Sequence, residues 1–149
     1  MSETARAEFL AGERTDDVLI FFAAHALSNP EALADHGELR DEGVVMVLPG
    51  EQGRAMYEKA TGVDPMTFAQ RAMGTEGDIG GDLLSATCPR KWDDESDDDH
   101  QVRNIFAFAE EQNEEVGGLY AEGNVIHAYA HCTCGAAYSD RWVVGDRDA

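Results

Sequence analysis

The chain has 149 residues, 43% of them apolar, and 30 acidic against 11 basic residues give a formal charge of −19. That length and apolar content suit one domain with its own core and exclude a disordered chain, while the charge repels phosphate backbones and makes nucleic acid an unfavourable partner. Lys59 and Lys91 are the only lysines, and a carboxylate-rich, lysine-poor surface suits a halophilic protein, since at about 1 M salt a screening length of about 3 Å damps self-repulsion.

From the N-terminus, "SETARAEFLAG" predicts a helix with Ser2 or Thr4 as N-cap, Phe9 and Leu10 for packing and Gly12 as its stop. "DVLIFFAA" is a short β-branched and aromatic run, expected as a strand buried on both faces. "SNPEALADHG" predicts a helix capped by Asn29 or Ser28, with Pro30 in its first turn and Gly37 at its end. "GVVMVLPG" follows as a second buried strand, stopped by Pro49 and Gly50. In "EQGRAMYEKATG" the residues Ala55, Met56, Lys59 and Ala60 are expected on one face, with Gly62 closing the helix in a left-handed conformation. "DPMTFAQRAMG" carries the plainest helix signals: Asp64 as N-cap, Pro65 in the first turn, Phe68, Ala69, Ala72 and Met73 on one stripe, and Gly74 at the end.

The glycine-rich "GTEGDIGGDLL" turns the chain toward its second half. Residues 93–99, "DDESDDD", carry six carboxylates in seven positions and read as an exposed loop. Beyond it, "VRNIFAFA", "GGLYAE", "NVIHAYAHC" and "AAYSDRWVV" read as strands, with turns at "AEGN" and "TCG". The expected class is α+β in a single domain, 1–149. N-terminal helices surround two buried apolar strands (1–87), an acidic exposed loop follows (88–100), and a small C-terminal antiparallel sheet carries a cysteine-bearing hairpin (101–149). No stretch reaches the roughly 20 apolar residues that spanning a bilayer requires. The first residues lack a basic region followed by an apolar one, so a cytoplasmic protein with no membrane partner is expected.

The segments "GRAMYEKATGVDPMTFAQRAMGTEGDI" and "FAFAEEQNEEVGGLYAEGNVIHAYAHCTCGAAYSDRW" resemble a family of small acidic haloarchaeal proteins of unknown function, and the resemblance covers most of the chain. It implies a halophilic, archaeal, cytoplasmic protein. It brings no catalytic residue, cofactor or partner with it.

Three cysteines in a reducing compartment disfavour a disulfide framework and leave metal binding, redox work or inert burial. Cys132 and Cys134 stand one residue apart. His131 and Cys134 have the two-residue gap of a zinc knuckle, with Gly135 following, and Cys88 precedes Pro89. Zinc takes thiolates and imidazoles tetrahedrally at about 2.0 to 2.3 Å, so the expected site is a structural zinc ion on Cys88, Cys132, Cys134 and His131. His100 and His127 are the other candidates for the fourth ligand. An extended strand would place His131 opposite the two thiols, so convergence requires the turn to curl around the ion.

Weaker motifs are set aside. "VVMVLPGEQGR" lacks the lysine and hydroxyl of a phosphate loop, "DDESDDD" lacks the spacing of a calcium loop, and His25 sits in an apolar run as a core residue would. Phe106, Phe108, Tyr120, Tyr129, Tyr138 and Trp142 read as sheet core, with a protein partner compatible with any that are exposed. The leading reading is a non-catalytic binding or regulatory module with a structural zinc site, with no catalytic or cofactor-binding residue assigned and no substrate named. The alternatives are a thiol-redox or metal-dependent enzyme using Cys132 and Cys134, and a protein-interaction domain with inert buried cysteines.

Overall fold

A computed structural model describes residues 3–24, 38–40, 43–80, 83, 86–87, 102–111, 115, 121, 123–132 and 135–144. In chain order its elements are α1 (Glu3–Leu10), β1 (Asp17–Ala23), β2 (Glu38–Arg40), β3 (Gly43–Pro49), α2 (Gly50–Thr61), α3 (Pro65–Met73), β4 (Asp78–Ile79), β5 (Ala86–Thr87), β6 (Val102–Glu110), β7 (Val125–Cys132) and β8 (Ala137–Val143). Among the described residues, six strands form one sheet in the order β2-β3-β1-β6-β7-β8, and β4 pairs with β5 apart from it. Every neighbouring pair in the large sheet is antiparallel.

Both faces of the sheet are covered, which explains its residue types. Leu19, Phe21 and Ala23 of β1 join Val45, Val47, Ile105, Ala107, Ile126, Ala128 and Ala130 on one face, beneath Phe9 of α1 and beside Ile79 and Leu83. Val18, Ile20 and Phe22 join Val44, Met46, Phe106 and Tyr129 on the other, beneath Tyr57 of α2 and Phe68, Ala69 and Ala72 of α3. Each large apolar side chain so buried contributes about 1.5 to 3 kcal/mol before the entropy of ordering it is set against the gain.

The expected α+β division is overturned. β1 pairs with β6 from Val18↔Phe108 to Phe22↔Asn104 and with β3 on its other side, so "DVLIFFAA" and "GVVMVLPG" lie in the same sheet as the C-terminal strands. The protein is mostly β, and its short helices lie on the sheet instead of surrounding two strands of their own. A continuous apolar run records burial on both faces. A central antiparallel strand between two coverings meets that condition as fully as a parallel one.

Local expectations fare better. Asp64 caps α3 by accepting from the Thr67 N–H at 3.3 Å, Pro65 stands in its first turn, and Phe68, Ala69 and Ala72 are buried. Met73, expected on the same stripe, is 64% exposed at the helix end. Gly62 closes α2 at φ 75°, as expected. The buried side of α2 differs from expectation: Gly53 and Tyr57 are inside while Ala55, Lys59 and Ala60 are exposed. Gly53 has no side chain, so the helix settles onto Val18 and Leu48, and a Cβ there would collide with Val18. The helix expected over "SNPEALADHG" and the acidic run 93–99 lie outside the described residues, as does nearly all of "GGLYAE".

The edge strand β8 is partly covered. The Gly77 N–H donates to the Ser139 carbonyl and the Ser139 N–H to the Thr75 carbonyl, both at 2.9 Å, while the Ile79 N–H donates to Asp140 Oδ2 at 3.1 Å. This strap occupies backbone groups that an edge would otherwise offer to another chain. Among the described residues, no helix is long and apolar enough to cross a membrane.

Because α2 rests on β1 through Gly53, Gly53→Ala should destabilise the protein by about 1 to 3 kcal/mol, despite alanine's better helix propensity. Adding Val18→Ala should return part of the loss. Denaturant midpoints of the two single variants and the double variant check this, and simple additivity would contradict it.

Candidate functional site

Register places Val102 opposite Cys132 but Asn104 opposite His131, so Arg103 is an extra residue in β6. Such a bulge reverses the alternation of faces. Val102 packs with the cluster that holds Cys132, whereas Asn104 meets the face covered by α2 and α3. Asn104 is 6% exposed, the one buried polar side chain among the described residues. The Tyr57 hydroxyl donates to Asn104 Oδ1 at 2.9 Å. Tyr57 is itself 1% exposed and held among rings, 5.7 Å from Phe68, 5.4 Å from Phe106 and 6.3 Å from Phe22 between centroids. Burial pushes its phenol well above the usual tyrosine range, against the opposing charges of Arg71 and Arg103, so it stays a donor.

The partner of Asn104 across the ladder, His131, is half-buried, its ring tilted against Phe68 at 5.8 Å. Burial, then Arg103 and then Arg71 hold its imidazole below the ordinary value, which keeps it neutral near pH 7. Arg71 stands one helical turn after Phe68 on α3, and Arg103 precedes Asn104 in the bulge. Both are exposed. Arg14 is tied to Glu8 at 2.6 Å and to Asp17 at 2.9 Å, but among the described residues neither Arg71 nor Arg103 has a carboxylate partner. Three elements thus place His131, Asn104 and Arg103 at one corner of the sheet, with Arg71 on the α3 helix that packs on His131 through Phe68.

The structure separates two of the expected metal ligands. Cys132 is 0% exposed and lies with Ala128 and Ala130 on one face of β7, while His131 meets Phe68 on the other. β7 stays in the ladder at this point: the Cys132 N–H donates to the Ala136 carbonyl and the Gly135 N–H to the Cys132 carbonyl, each at 2.9 Å. Gly135 makes the "TCG" turn at φ 96°, so the chain reverses after Cys132 without curling His131 and Cys132 toward one point. Cys88, Cys134 and His100 lie outside the described residues. Among the described residues, no group of three or more histidine, cysteine, aspartate or glutamate side chains could hold a metal ion. His127 pairs with Glu110 Oε1 at 3.1 Å and stacks on Phe108 at 5.0 Å. Burial lowers its basicity, with Glu110 acting against that and Arg141 with it.

Of the residues at this corner, the sequence reading singled out His131 alone, and for a different purpose. Tyr57, Arg71, Arg103 and Asn104 went unmarked. The available signal was the pair "RN" at the head of the apolar strand "VRNIFAFA", where two consecutive polar residues break the alternation. Residues 37–145 match DUF5807, a family of unknown function, and the chain belongs to it. The match spans Tyr57, Arg71, Arg103, Asn104 and His131. No curated protein and no solved structure matches the chain.

Tyr57→Phe leaves the Asn104 amide oxygen buried without its donor, and should cost about 1 to 3 kcal/mol in chemical denaturation. His127 and His131 are neutral in the fold, with ordinary values of 6.5. The unfolded chain therefore takes up protons first, so their contribution is fully present above pH 6.5 and is lost as pH falls through the lowered native values. Denaturation midpoints should drop below pH 6.5, and His131→Gln should flatten that slope; a slope unchanged by the substitution would contradict the assignment.

Proposed function

We propose that the protein is a non-catalytic binding module whose ligand carries negative charge, taken up at the corner where α3 meets the bulged end of β6 and β7. One observation supports this above others: in a chain of charge −19, Arg71 and Arg103 act on the same two side chains, Tyr57 and His131, with no carboxylate opposite either among the described residues. Guanidinium groups near a protein surface gain from a bidentate anionic partner, and two of them close together repel until one arrives. The Tyr57–Asn104 bond holds the bulge in place, so little ordering is left for binding to drive. The overall charge opposes anions at long range. At about 0.15 M salt, however, the screening length is about 8 Å, which leaves the near field to the two arginines.

Cys132, wholly buried among alanines, is proposed as a core residue in this reading. A structural zinc ion is the second proposal, supported by Cys132 and Cys134 standing one residue apart in the sequence. In it, Cys88, Cys132 and Cys134 supply sulfur and one imidazole completes the shell. Elemental analysis finding about one zinc per chain would favour that proposal, and metal-free protein whose melting ignores chelator would remove it. A cytoplasmic, salt-rich setting is proposed on composition alone.

Arg71→Ala with Arg103→Ala is the direct test, because both side chains are exposed and their loss leaves the core intact. Anions that bind the native protein should raise its melting temperature, and the double variant should lose that rise. Equal rises in both proteins would refute the proposal.

A further inference from the structure

We propose that the solvent side of α3 is a reversible oxidation site, where hydroperoxides convert the Met66 and Met73 thioethers to sulfoxides while the fold stays intact. Anion binding at the sheet corner plays no part in it.

Met66 is 51% exposed and Met73 64%, and among the described residues they are the only large apolar side chains so open to solvent. Both belong to α3, seven positions apart, so two helical turns set them on one side of it with Gln70 between them. Pro65, Phe68, Ala69 and Ala72 take the buried side. The other described sulfur atoms are sheltered. Met46 lies 1% exposed within the core beneath α2 and α3, Met56 is half-buried against that core, and Cys132 is 0% exposed on the opposite face of the sheet.

In the reaction the thioether sulfur attacks the terminal oxygen of the hydroperoxide. The S–O bond forms as the O–O bond breaks, and the departing oxygen keeps the hydroxyl proton and leaves as water or an alcohol. Sulfur loses two electrons and the peroxide gains them. A thioether needs no deprotonation to react, and an uncharged peroxide is not repelled by a surface of net charge −19. Access therefore decides which sulfur reacts. A sulfoxide is polar and disrupts packing where it is buried, but on the outer side of α3 the new oxygen faces water and leaves the core contacts of Phe68, Ala69 and Ala72 untouched. Dithiol-dependent reductases, one for each sulfoxide epimer, supply the reverse step, in which their two thiols become a disulfide and the oxygen leaves as water. Oxidation thus turns an apolar helix surface polar and reduction restores it.

Treating the folded full chain with hydrogen peroxide and following each methionine by peptide mass spectrometry tests this. Met66 and Met73 should take up oxygen at least about tenfold faster than Met46, whose sulfur is reached only when the core opens. With both converted, the melting temperature should move by about 2 °C or less, as for other changes at exposed positions. Methionine sulfoxide reductases of both stereospecificities, supplied with a dithiol, should then return the native mass. Oxidation of Met46 as fast as the α3 pair, or a pair that stays inert in the folded protein, would overturn the site. Unfolding that accompanies conversion of the pair would overturn its independence from the core. Sulfoxides left in place by both reductases would overturn its reversibility.

Discussion

Between Val102 and Asn104 the β6 strand carries one residue more than β7 opposite it, and that residue decides which face each neighbour meets. In a regular strand Asn104 would share the face of Val102, among Ala130 and Cys132, with its amide buried in hydrocarbon. The bulge turns it to the face covered by α2 and α3, where Tyr57 donates to it. Tyr57 can reach that point because α2 settles closely on β1 at Gly53, where no side chain intervenes. Arg103 is that extra residue, and it stands next to Asn104, which lies opposite His131. Backbone register, helix approach and charge placement thus converge on one corner of the sheet.

Much of the secondary structure was legible because its causes are local. The caps and stops of α3, the left-handed Gly62 and the glycine turn after Cys132 depend on residues within a few positions of one another. The single sheet was not legible, because the pairing of β1 with β6 joins residues more than eighty positions apart and leaves no mark on either strand beyond apolar content. Gly53 illustrates a second kind of miss. Reading α2 by its apolar residues favours Ala55, Met56 and Ala60, but the helix buries the side on which absence of a side chain permits contact. The site was missed for a similar reason. A bulge depends on its partner strand, so "VRNIFAFA" shows an irregular pattern without showing which residue is extra. The "HCTCG" stretch, conversely, has the local spacing of a knuckle, while the ladder keeps His131 and Cys132 on opposite faces.

Charge shapes the whole surface, and this corner departs from it. With 30 acidic residues in the chain, a cation has abundant potential partners, as Arg14 shows with Glu8 and Asp17. Arg71 belongs to a helix with no acidic residue from Pro65 to Met73, and Arg103 is flanked by valine and asparagine. Among the described residues, no carboxylate pairs with either of them. Burial of Tyr57 and half-burial of His131 keep both side chains uncharged, so among the described residues neither neutralises the arginines.

An anion at this corner should sit in contact with Arg71 and Arg103. Selenate replaces sulfate with little change in shape, and its selenium atom can be located by anomalous diffraction from soaked crystals. A selenium peak within hydrogen-bonding reach of both guanidinium groups, lost on replacing both arginines by alanine, is the predicted result. Well-occupied selenate at other positions with none at this corner would contradict the account.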